Sequence, residues 1–171
     1  PQDDNLWNSG TEDSPAKTEY DPCPDGWRVP TNSEFLELIS NHSSWTTDEN
    51  DQTGYWFSGT EPYSESVPRV FFPAAGKRSP SSGSADGRAA CGYYWSSSTY
   101  SSSAYELYFG GVGLYMSYYN RAYGFSVRCL QEQSISVDQP VESEVVNLSE
   151  EGTANSYIVS EAGAYKFTPT K

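Results

Sequence analysis

The most regular alternation of apolar and polar positions lies late in the chain. In "AYELYF", residues 104–109, Tyr105, Leu107 and Phe109 alternate with Ala104, Glu106 and Tyr108. A period of two is that of a strand with two unlike faces. "GGVG" supplies a turn, and "LYMSYY" returns with Leu114, Met116 and Tyr118 opposite Tyr115, Ser117 and Tyr119. "GFSVRCL", 124–130, sets Phe125, Val127 and Cys129 on a single face and predicts a last strand. The pattern predicts an antiparallel meander that ends a domain.

A different period stands upstream. "TNSE" at 31–34 is a capping box, in which Thr31 accepts from the Glu34 amide and the Glu34 carboxylate reaches back. Phe35, Leu38 and Ile39 follow at helical spacing, so a short helix is predicted from about 32 to 40. "YWFSGT" at 55–60 and "RVFFPA" at 69–74 read as short strands. The stretch 61–91 is otherwise rich in Pro, Gly and Ser. A loop of that length is functional or mobile, and 77–91 is expected to be its least structured and most mobile part. Leu6 and Trp7 are expected to anchor the polar first 20 residues into the core.

Beyond Leu130 the aromatics thin out. Two short strands are predicted around Ser156–Val159 and Ala164–Phe167. A segment of about 40 residues cannot bury enough surface to stand alone. The expected division is therefore a domain over 1–131 and, over 132–171, a short β-rich appendage or the start of a neighbouring domain.

Composition narrows the function classes. The chain has 171 residues and a formal net charge of −13, with ten Lys and Arg in all. Nucleic acid, which needs clustered cations, is excluded as a partner, and an anionic membrane surface is disfavoured. No stretch approaches the roughly 20 apolar residues of a membrane span. The opening "PQDDN" has no basic, apolar leader and reads as a mature or trimmed chain. Three cysteines, Cys23, Cys91 and Cys129, fit one bridge and one free thiol, compatible with an oxidising compartment.

Reactive chemistry is scarce. His42 is the only histidine, which rules out His-rich zinc sites and paired-His mechanisms. No spacing supports a Cys–His pair, and His42 is expected in a loop or capping role. The loop "DENDQTG" offers Asp48, Glu49, Asn50 and Asp51 as oxygen ligands for calcium but lacks EF-hand spacing. A solvated loop is the expected reading, and no cofactor is expected.

Five blocks in order, "YDPCPDGWRVPTNSEF", "FFPAAGKRS", "GYYWSSSTY", "AYELYF" and "NRAYGFSVRC", resemble the Fibrobacter succinogenes major paralogous domain over roughly residues 5–131. That domain is abundant in surface proteins of Bacteroidetes and Fibrobacteres. The resemblance implies a C-type lectin-like fold, related to that of formylglycine-generating enzyme: α+β, antiparallel and β-rich, with one or two short helices and long loops. It also implies secretion, often as a lipoprotein or within adhesive surface structures. "NLSEEGTANSYIVSEAGAYKF" is similar to a segment recurring in Bacteroidetes surface proteins, which points to the same extracellular address, at the cell surface or anchored to the outer membrane. The nearby cysteine pair of formylglycine-generating enzyme has no counterpart, and neither do the calcium-binding triplets of sugar-binding C-type lectins.

In such a fold Trp56, Tyr94 and Trp95 fill the core, and the serines after them mark where each strand surfaces. Direct ligand contact by these rings is the alternative. Cys23 and Cys129 flank the resembling blocks, and domain termini tend to lie close together, so these two are expected to pair and leave Cys91 free. The expected function is a non-enzymatic adhesion or recognition module of a larger surface protein, binding a glycan or protein on a host or neighbouring cell. Its candidate contacts are Arg78, Asp86 and Arg88 of the long loop, with Tyr100, Tyr108, Tyr115 and Tyr119. The alternative is a structural spacer within a larger surface or pilus-like assembly.

Overall fold

The computed structural model describes residues 3–48, 50–59, 64–111 and 113–132, and the strand backbones of 145–150, 153–159 and 165–169. Two compact units, 1–133 and 134–171, divide the chain. The first runs β1 (Trp27–Arg28), α1 (Asn32–Ile39), β2 (Thr46–Thr47), β3 (Thr53–Ser58), β4 (Arg69–Pro73), β5 (Lys77–Arg78) and β6 (Ala85–Asp86). It continues with β7 (Cys91–Tyr100), β8 (Ser103–Gly110), β9 (Gly113–Asn120) and β10 (Leu130–Gln131). Strands β2–β3–β4 and β7–β8–β9 form two antiparallel sheets, while β1–β10 and β5–β6 are two-stranded ribbons. The architecture is α+β, rich in small antiparallel sheets, with one short helix among the described residues.

Local chemistry explains the entry to the fold. Both halves of the capping box are made, Glu34 N–H to Thr31 Oγ1 and Thr31 N–H to a Glu34 carboxylate oxygen. Arg28 grips the same carboxylate with both terminal guanidinium nitrogens. In the turn before it, the buried Asp21 carboxylate accepts from the amides of Cys23 and Val29 and from Lys17 Nζ. Lys17 Nζ also donates to the carbonyls of Cys23 and Trp27. The turn thus closes around an internal ion pair, and Cys23 meets Cys129 in the expected disulfide, beside the β1–β10 ribbon. Cys91 is a free thiol.

The core lies between α1 and the two three-stranded sheets. Phe35, Tyr55, Phe57, Phe72, Tyr94, Leu107 and Phe109 form its buried cluster, with Leu38, Ile39, Leu114 and Met116 packed against it. Gly92 is required by this packing, since a Cβ there would sit 2.0 Å from the Phe109 ring.

Several expectations are corrected. Tyr94 and Trp95 are buried, but Trp56 points outward, its ring 5.1 Å from Phe71 and 4.4 Å from the Arg69 guanidinium. The period of two along β3 takes Tyr55 and Phe57 inward and Trp56 away. The serines do not mark strands surfacing: Ser58, Ser96, Ser97 and Ser98 are all buried. A bulge between Trp95 and Thr99 turns the latter three toward partners. Ser98 Oγ accepts the Asn32 amide, Ser97 donates to the Pro30 carbonyl, and Ser96 Oγ donates to the Tyr105 carbonyl. Hydroxyls so satisfied can be buried.

Residues 124–130 are not a regular strand. They carry single bridges, Gly124 to Arg78 and Ser126 in parallel to Tyr94, before β10. The stretch expected to be least structured contains the β5–β6 ribbon, pinned by amide bonds from Gly76 to Cys91 and from Arg78 to Gly124. Leu6 is exposed and Trp7 half-buried, so neither enters the core.

The second unit is an antiparallel meander of β11 (Val145–Glu150), β12 (Thr153–Val159) and β13 (Tyr165–Pro169). Its register pairs Val146 with Tyr157 and Tyr157 with Phe167 across the three strands. Strand β11 was not expected from the sequence, and Ala164 of the second expected strand lies outside the described residues.

Candidate functional site

The face of the β7–β9 sheet turned away from the core is also aromatic. Register aligns Tyr93, Tyr108 and Tyr115 across the three strands, then Trp95, Glu106 and Ser117, then Thr99, Ala104 and Tyr119. One extended return covers it. Ser126 N–H donates to the Tyr93 carbonyl and Trp95 N–H to the Ser126 carbonyl, both at 3.0 Å. These bonds lay Phe125 on the sheet, 4.2 Å from the Trp95 ring and 4.9 Å from Tyr93.

A single run of chain does not seal such a face. Between residues 95–99, the return and the first described residues, a cleft of about 420 Å³ remains, within the range of small-ligand sites. Trp7, Trp95, Tyr123 and Phe125 supply its rings, and Asp3, Asp4 and Arg121 its charged rim. Arg121 donates to the carbonyls of Ser101, Ser103 and Asp3 and to the Asp4 carboxylate, tying the start of the chain to the β7–β8 turn. With its guanidinium so engaged, the cleft offers flat apolar walls beside carboxylates. That combination suits a ligand with an apolar face and neutral or positive charge.

At the centre of the back face, Glu106 is 2% exposed and its Oε2 has no hydrogen-bond partner. Burial pushes its carboxyl up to about 7, against the pull of Lys77. At the far edge Cys91 Sγ lies 3.6 Å from the Tyr108 hydroxyl. The hydrogen bond to Cys91, with burial, raises the Tyr108 phenol to about 12.

The seven residues expected to bind ligand do not form one surface. Arg78, Asp86 and Arg88 are exposed on and after the β5–β6 ribbon, with Arg78 bonded to the Gly83 carbonyl. Tyr108 and Tyr115 meet as tilted rings 5.1 Å apart on the back face, where Tyr119 also lies, against Tyr123 and Phe125. Tyr100 belongs to the opposite face, 4.4 Å from Tyr118 and 5.4 Å from Tyr105; it is 46% exposed and Tyr118 53%.

In the acidic loop the Asp48 carboxylate accepts the amides of Asn50 and Gln52, a turn-forming role. Glu49 lies outside the described residues. Among the described residues no three metal-ligating side chains cluster. His42 bridges to Phe57 and packs edge-on against Tyr55.

The cleft escaped the sequence reading because its walls come from three separated segments. Trp7, noticed as an anchor, was the one signal available.

A family model described as a domain of unknown function (DUF8237) matches residues 29–130. The chain belongs to this family. The matched span holds the whole β7–β9 sheet, both ribbon strands β5 and β6, and the return with Cys129. Cys23, the Lys17–Asp21 pair and the wall of the cleft built by residues 3–7 lie before it. No curated protein and no solved structure matches the chain.

Proposed function

We propose that the chain is a non-enzymatic recognition module of an extracellular surface protein, with a C-type lectin-like fold, that holds a glycan or protein ligand in the aromatic cleft. The observation that carries this reading is the ring-walled cleft of about 420 Å³ between the sheet, the return and residues 3–7. Trp and Tyr faces give broad contact at low entropy cost, with hydroxyls and indole N–H groups for polar partners. Tyr100 and Tyr118, exposed on the opposite face of the sheet, stand apart from this cleft. Support for the fold comes from the five resembling blocks and from the two ends of the region they span, joined by a disulfide and a ribbon. Support for the address comes from that disulfide, a feature of oxidising compartments.

A half-open cleft gives weak binding per module, which multivalent display would raise. The test is a glycan and peptide array with the whole chain, with and without calcium, followed by titration of each hit against Trp7→Ala. Loss of binding with an unchanged melting temperature is expected. Hits that Trp7→Ala leaves untouched would remove the cleft from the proposal.

The spacer reading draws on the second unit, a three-stranded antiparallel meander whose sheet ends at β11 and β13, edges of the kind that pair with another strand. An array without hits, together with concentration-dependent self-association, would favour it.

A further inference from the structure

Apart from the cleft, the back face carries a cation held among rings. Lys77 reaches from β5 so that its Nζ lies 4.9 Å from the Tyr93 ring centroid, 5.3 Å from Tyr119 and 5.5 Å from Tyr123. The three rings come from β7, β9 and the return, so the tertiary fold assembles the box. All three are partly exposed. Glu106 stands on the same face, buried, with one carboxylate oxygen lacking a hydrogen-bond partner and no ion pair to Lys77. Ring faces around a point and a desolvated carboxylate beside them are the elements that recognise alkylammonium groups.

Among the described residues the Lys77 ammonium makes no hydrogen bond or ion pair, so ring contacts alone hold it in this box. Lys77 sits on a two-residue strand between Gly76, at φ 74°, and the turn closed by Gly83 and Gly87, at 66° and 72°. Gly76 is obligatory there, because a Cβ would meet the Asp86 carbonyl at 2.3 Å. Beside Lys77 a surface hollow of about 400 Å³ opens between the ribbon and Phe125, lined also by Arg78 and Arg88.

We propose that Tyr93, Tyr119, Tyr123 and Glu106 form a receptor for an alkylammonium group, which Lys77 fills in cis and which a lysine side chain of a partner protein enters by displacing it. The chain's net charge of −13 favours approach of such a partner. An internal competitor tethered on a short ribbon acts at an effective concentration in the millimolar range. The intact protein therefore binds external amines only as far as they outcompete Lys77, and removing that lysine unmasks the site. The box shares no residue but Tyr123 with the cleft, so Trp7→Ala, which tests the cleft, leaves it intact.

The experiment titrates the whole chain with tetramethylammonium and with Nε-trimethyl-lysine at pH 8. Lys77→Ala is expected to bind both at least tenfold more tightly than the parent, while Lys77→Arg, which restores a plug, behaves like the parent. Adding Glu106→Gln or Tyr119→Leu to Lys77→Ala should reverse most of that gain. Equal affinity of parent and folded Lys77→Ala would overturn the proposal. A measurement without any variant guards against loss of folding: millimolar tetramethylammonium added to the parent should shift the ring-proton resonances of Tyr93, Tyr119 and Tyr123 before others. Shifts confined to other tyrosines would equally overturn it.

Discussion

The two faces of the β7–β9 sheet are built from similar residues and finished differently. Toward the core, Tyr94, Leu107 and Phe109 meet Phe35, Phe57 and Phe72 and are almost wholly buried. On the back, Tyr93 and Trp95 meet Phe125 and Tyr108 meets Tyr93, yet the same face keeps Glu106, a caged Lys77 and an open cleft. What differs is the cover. A helix and a second sheet close one side, whereas a single extended return and a two-residue ribbon lie on the other. Ring content therefore does not distinguish the closed face from the open one in this chain; the number of layers over the rings does.

The largest expected effect lies on the closed face. Phe109→Ala removes a ring in contact with Tyr55 and Tyr94 and should cost about 3–5 kcal/mol in urea unfolding. A cost below about 1.5 kcal/mol would mean that this face, too, is loosely covered.

The next effect lies on the back face and has the opposite sign. Glu106 titrates near 7 rather than its ordinary 4.5 because burial disfavours the carboxylate. The fold therefore favours the protonated form. That contribution is complete below 4.5 and is lost as pH rises through about 7. At about 1.4 kcal/mol per unit, the difference is on the order of 3 kcal/mol. Glu106→Gln should match the parent at pH 4.5 and exceed it in melting temperature at pH 8. Glu34 works the other way. Burial raises its carboxyl, but Arg28 and the Thr31 amide outweigh that and hold it below its ordinary value, so its contribution fades as pH falls below about 4.5. An unchanged parent-to-variant difference across pH 4.5–8 would show that Glu106 is not the source of the slope.

Much of the closed face was legible in the sequence. The alternation in "AYELYF" and "LYMSYY" assigned both faces correctly, and the capping box set the helix start. The same alternation would have turned Trp56 outward had it been applied to "GYWFS". The buried serines were illegible for a physical reason: their partners at Pro30 and Asn32 lie more than 60 residues away, so no local pattern announces that a hydroxyl will be satisfied. The Lys77 box draws on residues 77, 93, 106, 119 and 123 from separate elements and leaves no spacing to recognise. Likewise the β5–β6 ribbon looks structureless in composition because Gly124 and Cys91 hold it from outside.

The smallest effect separates two tyrosines that the sequence treats alike. Tyr115 is 45% exposed, and its one ring contact among the described residues is the tilted Tyr108, at 5.1 Å. Tyr119 is half-buried, meets Tyr123 at 4.6 Å and Phe125 at 5.6 Å, and lies under the Lys77 ammonium. Tyr115→Ala should therefore change stability by about 0.5 kcal/mol or less, as an exposed strand position does. Tyr119→Ala loses two ring contacts and one cation–π contact and should cost about 1–2 kcal/mol. Urea melts of the two single variants at one pH measure both. Adding Lys77→Ala to each sharpens the reading, because the loss at Tyr119 should shrink once the ammonium is gone while that at Tyr115 stays constant. Equal costs for the two tyrosines would mean that the ribbon does not close over the back face, and the contrast between its ends would disappear.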